Sequence, residues 1–416
     1  MAKQGISTAV PRLRFPEFRK AAGWKETSLS SVLVEHGEKN DGASEVHSVS
    51  VHKGVVNQIE HLGRSFAAAD RSNYSLVKPH DIIYTRSPTG EFPYGIVKQS
   101  RLPFNVIVSP LYGVFSPVSR YLGYVLDAYF ESPIRTNNYL APIIQKGAKN
   151  TVQISNAIFL SKGLYLPSEE AEQKKIADCL MSLDEVIAAQ GRKVEALKAH
   201  KRGLMQLLFP REGETRPRLR FPEFRNAPEW EQKAGGVLFE NRKEGGEEGL
   251  SIYSVTVNDG MIPRASFDRD FYDIEDPVKN KKVYKGDVAY NMMRMWQGAQ
   301  GVAVEDCMVS PAYVVLSPLE GACSSFFAYL FKLPQSLELL TAYSRGLTKD
   351  RLRLYFDDFA RMPLCVPGHE EQQRIAECLS SLDTRMTTES NQLTALKTHK
   401  QGLMQQLFPA PEAASA

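Results

Sequence analysis

Side chains that could donate hydrogen bonds or charge to an anionic or heterocyclic partner gather in a few short stretches of this chain. Arg64, Arg71 and Asn73 stand before an apolar run, Asp81 to Tyr84, and Thr85, Arg86 and Ser87 follow it. A second such run, Asp287 to Tyr290, is followed by Asn291, Arg294, Trp296 and Gln297. A third pair of stretches sets Lys146, Lys149 and Asn150 in QKGAKNT beside Arg345, Lys349 and Arg351 in SRGLTKDRLR. Arg, Lys, Asn and Gln are the side chains that bond base edges, positive charge suits phosphates, and glycine beside it lets the backbone come close. The blander reading of each residue is an ordinary solvated surface.

Catalytic chemistry finds less support. The five cysteines form no CxxC pair and have no histidine at zinc-ligand spacing, so they read as reduced, structural thiols. Ser109-Pro110-Leu111-Tyr112 and Ser310-Pro311-Ala312-Tyr313 approach the Ser/Asn/Asp-Pro-Pro-aromatic pattern of amino-methyltransferases, but both lack the second proline. With no glycine-rich loop beside them, they read as turns leading into core strands. No GxxxxGK[ST] loop is present for ATP, and the Glu172-x-Lys174 triplet lies within a helical pattern, away from any nuclease-like carboxylate cluster. The chain itself is therefore expected to hold no metal, cofactor or catalytic residue.

The elements that position these loops come from a duplication. PRLRFPEFR occurs at Pro11 to Arg19 and again at Pro217 to Arg225, an offset of 206 residues. Ser48 to Val51 answers Ser254 to Val257 at that offset, and Val108 to Tyr112 answers Val309 to Tyr313 at 201. Ile176 to Pro210 matches Ile375 to Pro409 at 199, more closely than the segments before them match. Length (416 residues), 43% hydrophobic and 24% charged residues describe globular domains, with no apolar run long enough for a bilayer and no secretory signal. The expected location is cytoplasmic. A net charge of +3 leaves any nucleic-acid affinity to local clusters.

Residues 11–166 and 217–366 read as two mainly-β, α+β domains, with helices clearest at Tyr121 to Tyr129 and Ser324 to Phe331. Residues 167–210 and 367–409 read as long helices, and the tail from Pro409 as disordered. Ile176, Leu180, Leu183, Ile187, Gln190, Val194, Leu197, Lys201, Leu204 and Leu208 alternate spacings of four and three. The second helix repeats this at Ile375, Leu379, Leu382, Met386, Glu389, Leu393, Leu396, Lys400, Leu403 and Leu407. A sustained 3.5-residue period predicts a coiled coil, and connectivity makes it antiparallel, separating two domains about a pseudo-two-fold axis. An amphipathic helix packed on its own domain would explain the stripe but not its length. An unpaired buried lysine is costly, so Lys201 is expected opposite Glu389, with Lys400 opposite Gln190. The basic ends, Lys198 to Arg202 and Lys397 to Lys400, offset helix dipoles. In PRLRFPEFR, Leu13, Phe15 and Phe18 read as an apolar clip against a helix end rather than a basic arm.

Two related, divergent domains on a spacer of about 48 Å suit unlike half-sites one duplex turn, about 34 to 36 Å, apart. The PxLRFPEF start, the Leu-Tyr-Leu-Pro167 and Leu-Cys-Val-Pro367 closures, the EQxxIAxxL helix start and the GLMQxLFP exit each occur twice in the same order. On those motifs the chain resembles, over essentially its whole length, the specificity (S) subunit of a type I restriction-modification enzyme. The resemblance implies two target recognition domains, each reading half of a bipartite asymmetric site in double-stranded DNA. It implies helices that set the gap and dock two methyltransferase (M) subunits, with restriction (R) subunits joining. S-adenosylmethionine, ATP and Mg are then expected on those partners. The alternatives are a coiled-coil scaffold joining two non-DNA ligand-binding domains, which would show no salt-dependent DNA affinity, and a self-sufficient methyltransferase or nuclease, which would act without partners.

Overall fold

The computed structural model describes residues 8–64, 67–146, 152–267 and 277–409. It divides into two compact units, Met1–Gly191 with Asn391–Ala416, and Arg192–Ser390. Two 39-residue helices, Glu170–Leu208 and His369–Leu407, each contribute one part to either unit. No helix among the described residues is long and apolar enough to cross a membrane.

The first unit is built on a four-stranded antiparallel sheet ordered Leu33–Glu35, Gly113–Pro117, Ile82–Tyr84, Val97–Gln99. Its two central strands lose water on both faces: Ile82, Ile83, Tyr84 and Phe115 are fully buried, which explains why they read as continuous apolar runs rather than alternating ones. Helices Arg120–Phe130 and Pro133–Leu140 follow, started by Ser119 and Ser132, whose hydroxyls accept the backbone N–H of Tyr121 and Arg135. The second unit repeats the sheet as Phe239–Arg242, Tyr313–Pro318, Val288–Asn291, Gln300–Val302, followed by helices Ser324–Leu330 and Pro334–Ala342. The SPLY and SPAY tetrapeptides are turns: the hydroxyls of Ser109 and Ser310 accept the N–H of Leu111 and Ala312, just ahead of central strands.

In each unit the first and last strands of the domain pair with one another. Trp24–Ser28 lies antiparallel to Gly163–Leu166, and Glu231–Ala234 to Pro363–Val366. The chain leaves each domain beside the point where it came in, then turns into a long helix. Gln173 and Gln372 secure that turn by donating to the carbonyls of Pro167 and Pro367 at 2.9 Å. Thus the glutamine of EQxxIAxxL ties the helix start to the closing strand.

The glutamate of that motif pairs with the arginine of RFPEF. Arg14 Nε and Nη2 each donate at 2.7 Å to the two oxygens of Glu172, while Nη1 and Nη2 reach the carbonyls of Ala21 and Ala22. Arg220 does the same to Glu371 at 2.8 and 2.6 Å, and to the carbonyls of Ala227 and Pro228. All four side chains are buried. The expected apolar clip is one part of the junction: Phe15 and its copy Phe221 are half-buried against clusters that include Ile176 with Leu407 and Leu208 with Ile375, while Leu13 is exposed and the segment is anchored by its arginine. The backbone N–H of Leu13 also reaches Gln406 O, and that of Leu219 reaches Leu207 O, so the segment holds the end of one long helix and the start of the other. Trp24 and Trp230 close the same junctions, edge-on to Phe408 and Phe209 of the LFP exits.

Every heptad position named from the sequence is buried or half-buried, and nearly all residues between them on the outer face are exposed. The two helices run antiparallel within each unit. In the second unit Lys201 Nζ meets Asp383 at 2.5 Å and Lys193 Nζ meets Glu389 at 2.6 Å. In the first, Lys400 Nζ meets Asp184 at 2.6 Å and Glu131 at 2.7 Å, and Gln190 faces Gln392. The expected register, Lys201 on Glu389 and Lys400 on Gln190, is therefore wrong by about one heptad. The reason is a partner outside the strict heptad. Asp184 and Asp383 also accept from Tyr124 and Tyr329, at 2.5 and 2.8 Å, so each aspartate draws in the equivalent lysine of the other helix. Lys198, by contrast, pairs with Glu195 on its own helix.

Leaving a buried carboxylate without its guanidinium costs about 3 to 5 kcal/mol, so R14A should lower unfolding free energy by that order in denaturant titration. Arg14→Met combined with Glu172→Leu should cost less than R14A alone; an equal or larger loss would show that packing, not charge, fixes the junction. Burial alone would raise the Asp184 carboxyl, yet hydrogen bonds from Lys400 and Tyr124 and the charges of Lys400 and Arg101 outweigh it and hold it below its usual value. A depressed folded pKa gives stability that is present above the unfolded value, about 3.9, and lost as pH falls below it. D184N should therefore lose stability less steeply than wild type on acidification below pH ~4, as followed by circular dichroism.

Candidate nucleic-acid interface

The loop between Ile82–Tyr84 and Val97–Gln99 carries the sequence-nominated Arg86 and Ser87. Its base is tight, for a Cβ on Gly95 (φ 98°) would sit 1.8 Å from the Thr85 carbonyl oxygen, so only glycine fits. Ser87 is exposed. Arg86 turns inward: Nε donates to Ile154 O at 2.7 Å, Nη1 and Nη2 reach Leu111 O and Asn156 Oδ1, and the guanidinium lies 5.6 Å from the Tyr84 ring centroid. Burial pulls its pKa down, against the opposing charges of Tyr84 and Glu35. Those donors are spent on two segments of the domain itself, the stretch from Ile154 to Asn156 and the turn at Leu111, which favours a structural role over a DNA contact. Arg64, Arg71 and Asn73 are exposed on the stretch before the sheet. The backbone of Arg71 is fixed by N–H donors from Tyr74 and Asn40 on its carbonyl, leaving the side chain outside. Of the QKGAKNT stretch, Lys149 and Asn150 lie outside the described residues; Lys146 belongs to a short strand pairing with Val152, and its side chain lies outside them too.

In the second unit the matching loop runs from Met292 to Ala299. Asn291 is buried, and its Oδ1 accepts the N–H of Met293 at 3.0 Å, so it shapes the turn rather than facing out. The turn continues as a short 3-10 helix, Met295–Gln297, ended by Gly298 at φ 84°. Trp296 is half-buried with Nε1 bound to Met293 O, whereas Arg294 and Gln297 are exposed. Asn291 is thus held in the turn, while Arg294 and Gln297 are exposed.

The SRGLTKDRLR stretch lies against that loop. Leu354 N–H donates to Met292 O at 3.0 Å, and Arg353 Nη2 reaches Met293 Sδ at 3.6 Å. Arg345 and Arg353 exchange backbone hydrogen bonds at 2.9 Å, closing a hairpin. Arg345 is held by Asp358 at 2.6 Å, which raises its pKa, and Arg361 shares that aspartate. Arg345, Gly346, Arg351, Arg353, Tyr355 and Asp357 line an open cleft of about 530 Å³. Lys349 and Arg351 have no carboxylate partner among the described residues. The structure therefore brings the Met292–Met293 turn against Arg353 and Leu354, joining two stretches far apart in sequence, and Arg294, Gln297, Lys349 and Arg351 are exposed on them. Such a surface can neutralise phosphates and reach base edges. Arg353 and Tyr355 of this cleft escaped the sequence reading, and pairing across the hairpin was the missing signal.

No described His, Cys, Asp or Glu group could hold a metal ion. All five cysteines are free thiols, and burial pushes that of Cys307 up to about 12. If Arg86 is structural, R86K should lower the melting temperature, at about 1 to 3 kcal/mol for the carbonyls left unpaired. It should leave the dependence of DNA affinity on salt unchanged; a shallower salt slope would make Arg86 a phosphate contact after all.

Residues 252–398 match the family model described as type I restriction modification DNA specificity domain. The chain is similar in fold to the S subunit of a type I restriction-modification system from M. genitalium, at 12% identity, with 96% of this chain and 99% of that chain covered and a TM-score of 0.55. It also aligns with a chain from work on complex assembly and conformational transition of the type I R-M system (17% identity, 93% and 98% covered, TM-score 0.48). The HsdS subunit from Thermoanaerobacter tengcongensis gives 17% identity, 93% and 97% coverage and a TM-score of 0.40. No curated protein sequence matches the chain.

Proposed function

The chain carries a type I restriction-modification DNA specificity domain and the fold of a type I S subunit, and from that premise we propose that it selects the DNA site on which a type I complex acts. Each unit's domain reads one half of a bipartite, asymmetric site in double-stranded DNA. The long helices set the gap between half-sites and dock two methyltransferase subunits, and restriction subunits join that complex. The chain contributes recognition and no catalysis; S-adenosylmethionine, ATP and Mg reside on its partners, and the complex works in the cytoplasm.

One observation carries this reading. Both units keep the same anchoring sets, Arg14 with Glu172 and Arg220 with Glu371, and Tyr124–Asp184–Lys400 and Tyr329–Asp383–Lys201, while the loops above them differ in residues and length. Equal frames with unequal loops suit identical helix-bound partners and unlike half-sites. Genome-wide mapping of methylated adenine, with and without this gene, tests it: a bipartite motif should vanish on deletion, and an unchanged methylome would sink the proposal. In vitro, affinity of the full chain for duplex should fall steeply with salt, and R351A should make the log–log slope shallower by about 0.9.

A further inference from the structure

Leu347 stands at the tip of the hairpin closed by Arg345 and Arg353 and is 97% exposed, while Leu352 and Leu354 on the same stretch are buried. It does not reach the core, because the base of the hairpin is pinned. Arg345 is tied to Asp358, Leu354 to Met292, and Gly346 approaches Arg351 so closely that a Cβ would lie 2.6 Å from its carbonyl oxygen. Around this apolar tip are cations: Arg345, Lys349, Arg351 and Arg353, against Asp350 within the hairpin and Asp357 in the adjoining cleft. A fully solvated leucine forfeits its burial free energy, and the charge beside it favours a polyanion as the surface that covers it.

Resting on the DNA-reading function above, we propose that Leu347 is an apolar wedge of the second unit, pressed between base steps of the duplex while Lys349 and Arg351 hold the flanking phosphates. An aliphatic side chain set among cations combines both needs of such a contact, since cations position the backbone and the wedge unstacks a step. The repeat makes the device one-sided. At the offset of 199 residues that matches the long helices, Ala148 stands where the second copy has Leu347, too short to wedge. Distortion of the duplex is thus confined to the half-site read by the second unit.

The test uses the full-length chain and a fluorescein-labelled duplex selected by that chain from a randomised pool, titrated from low to moderate salt. L347A should bind about tenfold more weakly at every salt concentration with the slope unchanged, because burial releases no counterions. K349A should instead flatten the slope by about 0.9. L347W adds a fluorophore at the tip, and duplex should quench its added fluorescence by stacking. L347A binding like wild type, or L347W emission indifferent to duplex, overturns the wedge while leaving the DNA reading intact. Wild-type chain that selects no duplex and shows no salt-dependent affinity overturns that reading, and the wedge with it.

Discussion

The buried pair of Arg14 with Glu172, repeated as Arg220 with Glu371, is the constraint on which the frame depends. Two charges removed from water are tolerable only when each is fully bonded. Here the guanidinium has two carboxylate oxygens and two backbone carbonyls, and its geometry is rigid. The cost of getting this wrong makes the junction specific. A lysine in place of Arg14 offers one point charge and would not span four acceptors. The segment that bears the arginine also bonds the end of the other long helix, so a local ion pair fixes a tertiary junction three segments wide.

Much of the frame was legible because it is periodic or repeated. The heptads predicted which residues of each long helix lose water, and the two sheets followed from short apolar runs between turn residues. Register was not legible. It depends on Asp184 and Asp383, which sit one residue beyond heptad leucines and acquire their weight only when a tyrosine from the domain bonds them. Periodicity weighs residues on the stripe; it is blind to a charge beside it that the domain holds in place. The identity of the motif Glu172, Glu371, Arg14 and Arg220 in both copies was the visible hint that these charges face inward.

The candidate contact residues show the opposite difficulty. Composition selects arginine and asparagine equally whether they face out or in. Arg86 follows a central strand and Asn291 ends one, where backbone groups compete for them, and the Arg86 donors and the Asn291 Oδ1 are taken up there. Arg294, Lys349 and Arg351 lie further into their loops, beyond the reach of the sheet, and keep their charge outside. Distance along the chain from the last ladder hydrogen bond is thus a better guide than residue type.

The pairing of first and last strands in each domain has an evolutionary consequence. With Trp24–Ser28 beside Gly163–Leu166, a whole domain enters and leaves through one pair of strands, and the ion pair and glutamine of its junction lie in flanking motifs outside that pair. Recombination that cuts within those strands would exchange what lies between them as a cassette and leave the heptads undisturbed. The incoming domain would need only an edge to pair and a tyrosine to offer the helix aspartate. A lineage carrying this architecture can change what it recognises by shuffling rather than by accumulating substitutions one at a time.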